Sequence, residues 1–263
     1  MALANNPASA GPRAGSWLAQ YATRHAARHQ RRVWSGRVVS WDQHSSAALT
    51  RVTAAVLDAA DAGPQTCAVD LGCGTGQISV PLALAGAHVL AVDVSSGMIR
   101  RLQSEARQRQ ATTLEALALP IEELVLPPES VDLVISSYAL HHLRNADKAR
   151  LVSAAYEWLR PGGRLVVADM MFGRGGSSRD RAIIGSKVRV LASKGPGGWW
   201  RIAKNAARYL LRVQERPVPM AAWTAMLTRS GFAHVTATGI IAEAALVTGR
   251  KPDQPAARGH EAE

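Results

Sequence analysis

A chain of 263 residues, 47% hydrophobic and 19% charged, carries enough apolar side chains for a full core. Its length suits one α/β domain with an insertion better than two full domains. No run approaches the length needed to cross a bilayer, and Met1 to Ser16 lacks the charged-then-apolar order of a signal peptide. The net charge of +11 is unevenly placed. Seven arginines stand against Asp42 alone between Arg13 and Arg51, and eleven lysines and arginines against Asp180 and Glu215 between Arg174 and Arg216. The rest of the chain is slightly acidic, so the basic character belongs to two flanking segments and describes a substrate or surface met there. Cys67 and Cys73 are the only cysteines. They read as small packing residues rather than a disulfide or metal pair, in keeping with a reducing cytoplasm.

Residues 1–15 are small and polar, with Pro7 and Pro12, and predict a disordered start. Ser16 to Arg32 predicts a basic helix with Trp17, Leu18, Tyr21 and Ala22 on one side, and 33–44 is less regular, with Trp34 and Trp41. Ser45 to Ala62 predicts a helix that turns Leu49, Val52, Val56 and Leu57 to the core. Strands are expected over 66–71, 88–93, 112–117, 131–136, 164–169, 233–239 and 242–249, with helices over 76–86, 96–109, 145–160 and 219–230. Alternating strand and helix implies a mostly parallel sheet covered on both faces.

The connection from Met170 to Pro219 is too long for an ordinary loop and reads as a cap insertion over 171–218 of a single domain spanning 16–251. Within it, Gly173 to Ser178 forms a joint, 181–192 predicts a helix, and Trp199 to Val213 predicts an amphipathic one. Trp199, Ile202, Ala203, Ala206, Leu210 and Val213 share one face of that helix, and Arg201, Lys204, Asn205, Arg208 and Arg212 the other. Such a helix either packs on the sheet with a solvated basic face or lies on anionic lipid. Residues 252–263 read as a polar, disordered tail.

The stretch that organises the chain is Cys67 to Gln77, C-A-V-D-L-G-C-G-T-G-Q. A short apolar run ends in Gly72, Gly74 and Gly76, and the apolar pattern that follows tolerates Pro81 in its first helical turn. Strand, glycine turn and helix N-terminus form the frame of a nucleotide-type pocket. The spacing is G-x-G-x-G, with Gln77 where the dinucleotide fingerprint has its third glycine, and no G-K-[ST] follows, which excludes a P-loop. About one βα unit on, His88 to Asp93 is an apolar run ending in a carboxylate suited to ribose hydroxyls.

D-L-G-C-G-T-G followed by V-D-V-S-S-G-M resembles the class I S-adenosylmethionine (SAM) methyltransferases, and further elements come in order. Val131 to His142 resembles that family's fourth strand and the segment after it, and Leu159 to Val167 its L-x-P-G-G turn into the fifth. The resemblance covers Cys67 to Asp169, with a weaker echo to Lys251, and is similar to the ubiquinone and menaquinone C-methyltransferases. It implies a Rossmann-like, doubly wound, seven-stranded sheet of order 3-2-1-4-5-7-6 with the last strand antiparallel, an N-terminal helical lid and a helical cap. It also implies SAM as methyl donor, contacted by Asp70, Gly72, Cys73, Gly74, Thr75, Gly76, Asp93, Val94, Met98, Ile121 and Ser136. Trp34, Trp41 and Tyr138 become candidates for the substrate lid, against the alternative that they only pack. Members often place an acid after the third strand, toward the adenine amino group. That position is Pro120 here, which leaves the Ile121 N–H and Glu122 or Glu123 to take over.

Methyl transfer from a sulfonium is an in-line displacement, so alignment supplies most of the rate. Ser136, Ser137, Tyr138, His141 and His142 fall at the carboxyl end of the fourth strand. His141 and His142 are the candidate catalytic bases, against the alternative of a structural turn. Ser-Ser-Tyr differs from the [DN]-P-P-Y tetrad of enzymes that methylate exocyclic base nitrogens. With neither H-E-x-x-H nor paired C-x-x-C, no metal site is expected. Three readings compete. One is a SAM-dependent methyltransferase acting on a small, apolar quinone-, polyketide- or lipid-like metabolite. Another is an RNA methyltransferase whose basic flanks meet phosphates. The third is a non-catalytic SAM-binding protein, or one held at an anionic membrane through 199–213.

Overall fold

The computed structural model describes residues 47–173, 178–193 and 216–253. The expectations for 1–46, including Trp34 and Trp41, for the amphipathic helix at 199–213, and for the tail from 254 onward lie outside the described residues.

In chain order the elements are α1 (Ala47–Ala60), β1 (Cys67–Leu71), α2 (Ser79–Leu84), β2 (His88–Asp93), α3 (Ser96–Gln108), β3 (Leu114–Ala118), β4 (Val131–Ser137) and α4 (Asn145–Trp158). There follow β5 (Leu159–Met170), α5 (Ser178–Ala192), α6 (Met220–Arg229), β6 (Ala233–Gly239) and β7 (Ala244–Arg250). Short 3₁₀ turns stand at Ile121–Glu123 and Leu140–His142. The strands form one sheet of order β3-β2-β1-β4-β5-β7-β6. Its first five members run parallel, and β7 is antiparallel to both neighbours. The expected architecture is therefore present.

Strand periodicity explains why both faces are covered. Ala68, Leu133, Ile135, Val166 and Ala168 pack on one side with Val52 and Val56 of α1, Val80 and Leu82 of α2, and Ile99 and Leu102 of α3. Their neighbours Val69, Leu71, Val134, Leu165 and Val167 face the other side, against Leu151 and Val152 of α4 and Trp223 and Leu227 of α6. Successive side chains alternate across a strand, so a continuous apolar run serves two cores. Ser95 caps α3 by accepting from the Met98 N–H at 3.3 Å.

Among the boundaries that differ from expectation, three have a visible cause. The third strand starts at Leu114 rather than 112, because Thr113 turns its hydroxyl to Ala87 O at 2.7 Å and closes a loop instead. α2 begins only at Ser79, since the glycine turn uses the residues up to Ile78. β5 reaches back to Leu159, which pairs with Val131 across an irregular register.

In the strand order, β1 stands between β2 and β4, and the chain leaves it in opposite directions on either side. Ligands of open α/β sheets settle at the carboxyl ends of the strands at such a reversal.

Candidate active site

All three glycines after β1 have positive φ: +77° at Gly72, +55° at Gly74 and +95° at Gly76. Each is required for its own reason. A Cβ on Gly72 would lie 2.2 Å from the Cβ of Ala139, so this glycine lets the β1 turn close on the turn after β4. A Cβ on Gly76 would meet Leu102 Cδ1 at 2.1 Å, so this one seats the turn on α3. A Cβ on Gly74 would meet nothing within 4 Å, and Gly74 faces the open cleft. Gly72 N and Cys73 N both donate to Val92 O, at 2.7 and 3.0 Å, which fastens the turn to the end of β2.

Asp93 ends β2 beside this turn. Its Oδ2 accepts from Gly74 N at 3.0 Å and its Oδ1 from Ser95 N at 2.7 Å. Burial raises its carboxyl above the usual range, and the two N–H groups pull it back. Asp70 is buried at the end of β1 and accepts from Ser79 Oγ at 2.5 Å. Burial pushes it up to about 6, the Ser79 hydroxyl opposes this, and the nearby Asp93 charge adds to it. The same burial, with Asp70 and Asp93 adding, raises the Cys73 thiol, so it stays neutral.

These groups stand at one end of a cleft of about 1110 Å³, counted with its open mouth. Of the expected donor contacts, Asp70, Gly72, Cys73, Gly74, Thr75, Asp93, Val94, Met98 and Ile121 line it. Gly76 and Ser136 do not line it. Gly76 packs on Leu102, and Ser136 Oγ donates to Leu71 O at 2.7 Å, a tie between β4 and β1 that leaves the wall to Ser137. Leu49 of α1 also reaches the cleft. Beyond Pro120, Glu122 lines the cleft while Glu123 is exposed. Burial raises the Glu122 carboxyl, with Asp147 and Glu123 pushing the same way and Arg144 opposing.

The far wall is the turn after β4. Tyr138 lines the cleft with a left-handed backbone, φ +52°, which is strained for a side chain of its size. Burial first, then the charges of Glu243 and Asp169, raise its phenol further, so the hydroxyl stays protonated. The two histidines separate. His142 lines the cleft. His141 is buried outside the cleft lining, with its Nδ1 2.5 Å from Asp169 Oδ1 and its backbone N donating to Asp169 Oδ2 at 2.7 Å. The rings sit 3.9 Å apart, tilted by 50°. Past them, Arg144 and Asp147 of the α4 start also line the cleft, joined by Arg144 Nε to Asp147 Oδ2 at 2.6 Å. Asp169, Arg144 and Asp147 carried no motif signal; only the position of Asp169 at the end of an apolar strand marked it. Among the described residues, no group of three or more His, Cys, Asp or Glu is placed to hold a metal ion.

A seven-stranded sheet of this order, with a glycine turn after β1 and an acid closing β2, defines the class I methyltransferase architecture. Comparison with known proteins agrees. Residues 68–163 match the family model described as a methyltransferase domain. The chain is 33% identical over 104 residues to an uncharacterised methyltransferase of Geobacillus kaustophilus, covering 40% of this chain and 46% of that protein. It is 33% identical over 114 residues to a demethylmenaquinone methyltransferase of Streptomyces avermitilis, covering 43% and 46%. The chain thus spans about half the length of these relatives. The crystal structure of a Burkholderia thailandensis 1,6-didemethyltoxoflavin-N1-methyltransferase superposes with TM-score 0.59 over 94% of both chains at 17% identity, which shows a shared fold. Residues 68–163 are accordingly similar to a methyltransferase domain, and the fold is the one seen in SAM-dependent methyltransferases.

Proposed function

We propose that this chain transfers a methyl group from SAM to a small, apolar acceptor of quinone, polyketide or lipid type. The observation that carries the reading is the cleft itself. Its open glycine turn, with Asp70 and Asp93, adjoins a wall built from Leu49, Ile78, Met98, Ile121 and Leu143. SAM supplies an electrophilic methyl group on a sulfonium. The chain's part is to bind and align. The main chain at Gly74 admits the amino-acid end, Asp70 offers a carboxylate to a cationic group, and Asp93 meets the ribose. Met98 and Ile121 supply apolar contact for the adenine, and Glu122 stands where its carboxyl can serve the amino group in place of an acid at Pro120.

For the acceptor, the apolar wall and the Streptomyces avermitilis relative's name support a quinone-like or similar molecule. The charges lining the cleft disfavour a polyanion. Asp70, Asp93, Glu122 and Asp147 line it, and Arg144 is bonded to Asp147.

The test is a labelled-methyl transfer. Purified protein and methyl-labelled SAM are incubated with whole host extract, then separated into organic-soluble, RNA and protein fractions. Label is expected in the organic phase. Label in RNA would contradict the acceptor class and make the basic flanks a phosphate-binding surface. A protein that binds SAM yet labels no fraction would contradict catalysis.

A further inference from the structure

Tyr138 follows the last residue of β4 and is fixed from both sides. Its backbone N donates to Ala168 O at 2.9 Å, one residue past the final β4–β5 pair, Ser137 with Ala168. Its φ of +52° then turns the chain, so that Ala139 comes to lie against Gly72. Glycine or asparagine takes such a backbone at little cost, and tyrosine does not. Strained residues of this kind collect where ligands are held.

The turn explains the backbone but not the side chain. Tyr138 packs against the core cluster that includes Val52 of α1, Ile135 of β4 and Ala168 of β5, and it lines the cleft. Packing explains the ring, and phenylalanine would pack as well. The hydroxyl is left over. A buried tyrosine hydroxyl ordinarily finds a hydrogen-bond partner, yet among the described residues none bonds to this one. Burial and the charges of Glu243 and Asp169 keep it protonated, so it has a proton to donate. The same two carboxylates make its surroundings unfavourable for an anion. Across the cleft, Leu49 of α1 and Ile78 supply apolar surface.

We infer that Tyr138 determines which acceptor is used, by donating a hydrogen bond from its hydroxyl to an uncharged carbonyl oxygen on an otherwise apolar molecule. This rests on the methyl-transfer reading above and narrows it to acceptors that carry a ketone or quinone oxygen. Tyr138 passes no proton in the transfer. It fixes the acceptor's orientation, so that the nucleophilic atom lies in line with the methyl group.

Tyr138→Phe keeps the ring and removes the hydroxyl. The full chain and the variant are compared in the labelling assay on serial dilutions of extract, with SAM affinity followed by calorimetry and stability by urea unfolding. The variant should keep the wild-type SAM affinity and urea midpoint. It should need about fivefold more extract for half-maximal labelling of the organic phase, as one hydrogen bond is lost. Two added competitors, α-tetralone and tetralin, share a ring frame and differ in the ketone. α-Tetralone should inhibit wild-type labelling at about fivefold lower concentration than tetralin, and Tyr138→Phe should lose that difference. A ketone preference that survives in Tyr138→Phe, or half-maximal labelling at the wild-type amount of extract, would overturn the inference and leave the methyl-transfer reading intact. Weakened SAM affinity in the variant would also overturn it, because the hydroxyl would then serve the methyl donor. A wild type that binds SAM and labels nothing would overturn both.

Discussion

Gly72, Gly74 and Gly76 share a left-handed backbone but differ in what surrounds them, and that difference is measurable. Gly72→Ala drives a methyl group into Ala139. It should cost about 2–4 kcal/mol of stability in urea unfolding, from backbone strain together with overpacking. Gly74→Ala meets no neighbouring atom. It should cost only about 1 kcal/mol of strain while weakening SAM binding, because the new methyl group enters the cleft. Equal stability losses in the two variants would show that the turn is not built as described. Asp70 carries a pH dependence. Its carboxyl titrates at about 6 in the folded chain, above the ordinary value of 3.8. Its contribution to folding is therefore most favourable below pH ~4 and is lost as pH rises through about 6. Binding of a cation runs the other way. SAM affinity should rise as Asp70 ionises and level off above pH ~6, and Asp70→Asn should flatten that rise in calorimetric titrations.

At the scale of elements, every strand was legible, because each is a short apolar or alternating run bounded by turn residues, and the sheet order came with the family resemblance. What the pattern hid was how residues at the strand ends divide their work. Ser136 and Ser137 are adjacent and alike in sequence, yet β4's alternation sends the Ser136 hydroxyl to Leu71 O and leaves Ser137 to line the cleft. Two adjacent histidines divide in the same way, and only the distant Asp169 decides which is structural. Lys148, within N-A-D-K-A-R, reads as an ordinary surface lysine of a helix start; its burial depends on the chain returning at Arg216, a contact that spans 68 residues. Local periodicity carries no trace of such a contact. α6, expected as a helix over 219–230, is seated on the sheet by one large side chain. Trp223 is 1% exposed and packs with Leu151, Val152 and Trp158 in one core. Trp223→Ala should cost about 3–5 kcal/mol, read as an earlier urea midpoint; a loss below 1 kcal/mol would show that α6 is not seated on the sheet.

Across the whole molecule, charge and chemistry are segregated. The chain carries a net +11, yet Arg144 is the only lysine or arginine among the described residues lining the cleft, beside Asp70, Asp93, Glu122 and Asp147. The described cleft lining is thus mainly acidic among its charged groups, while the excess of basic residues lies in the flanking segments 13–51 and 174–216. The glycine turn and Asp93 were legible before any fold was known, because an apolar run ending in glycines and a second one ending in an acid are marked by residue type at a fixed spacing. The identity of the acceptor was not, since apolar walls recognise shape and leave no motif. If this cleft holds SAM through the turn and Asp93, calorimetric titration of SAM will separate the wild type from Asp93→Asn. One-to-one binding is expected of the wild type, and affinity weakened about tenfold or more of the variant, as a charged hydrogen-bond acceptor is lost. Equal affinity in the two proteins, or no binding by the wild type, would contradict it.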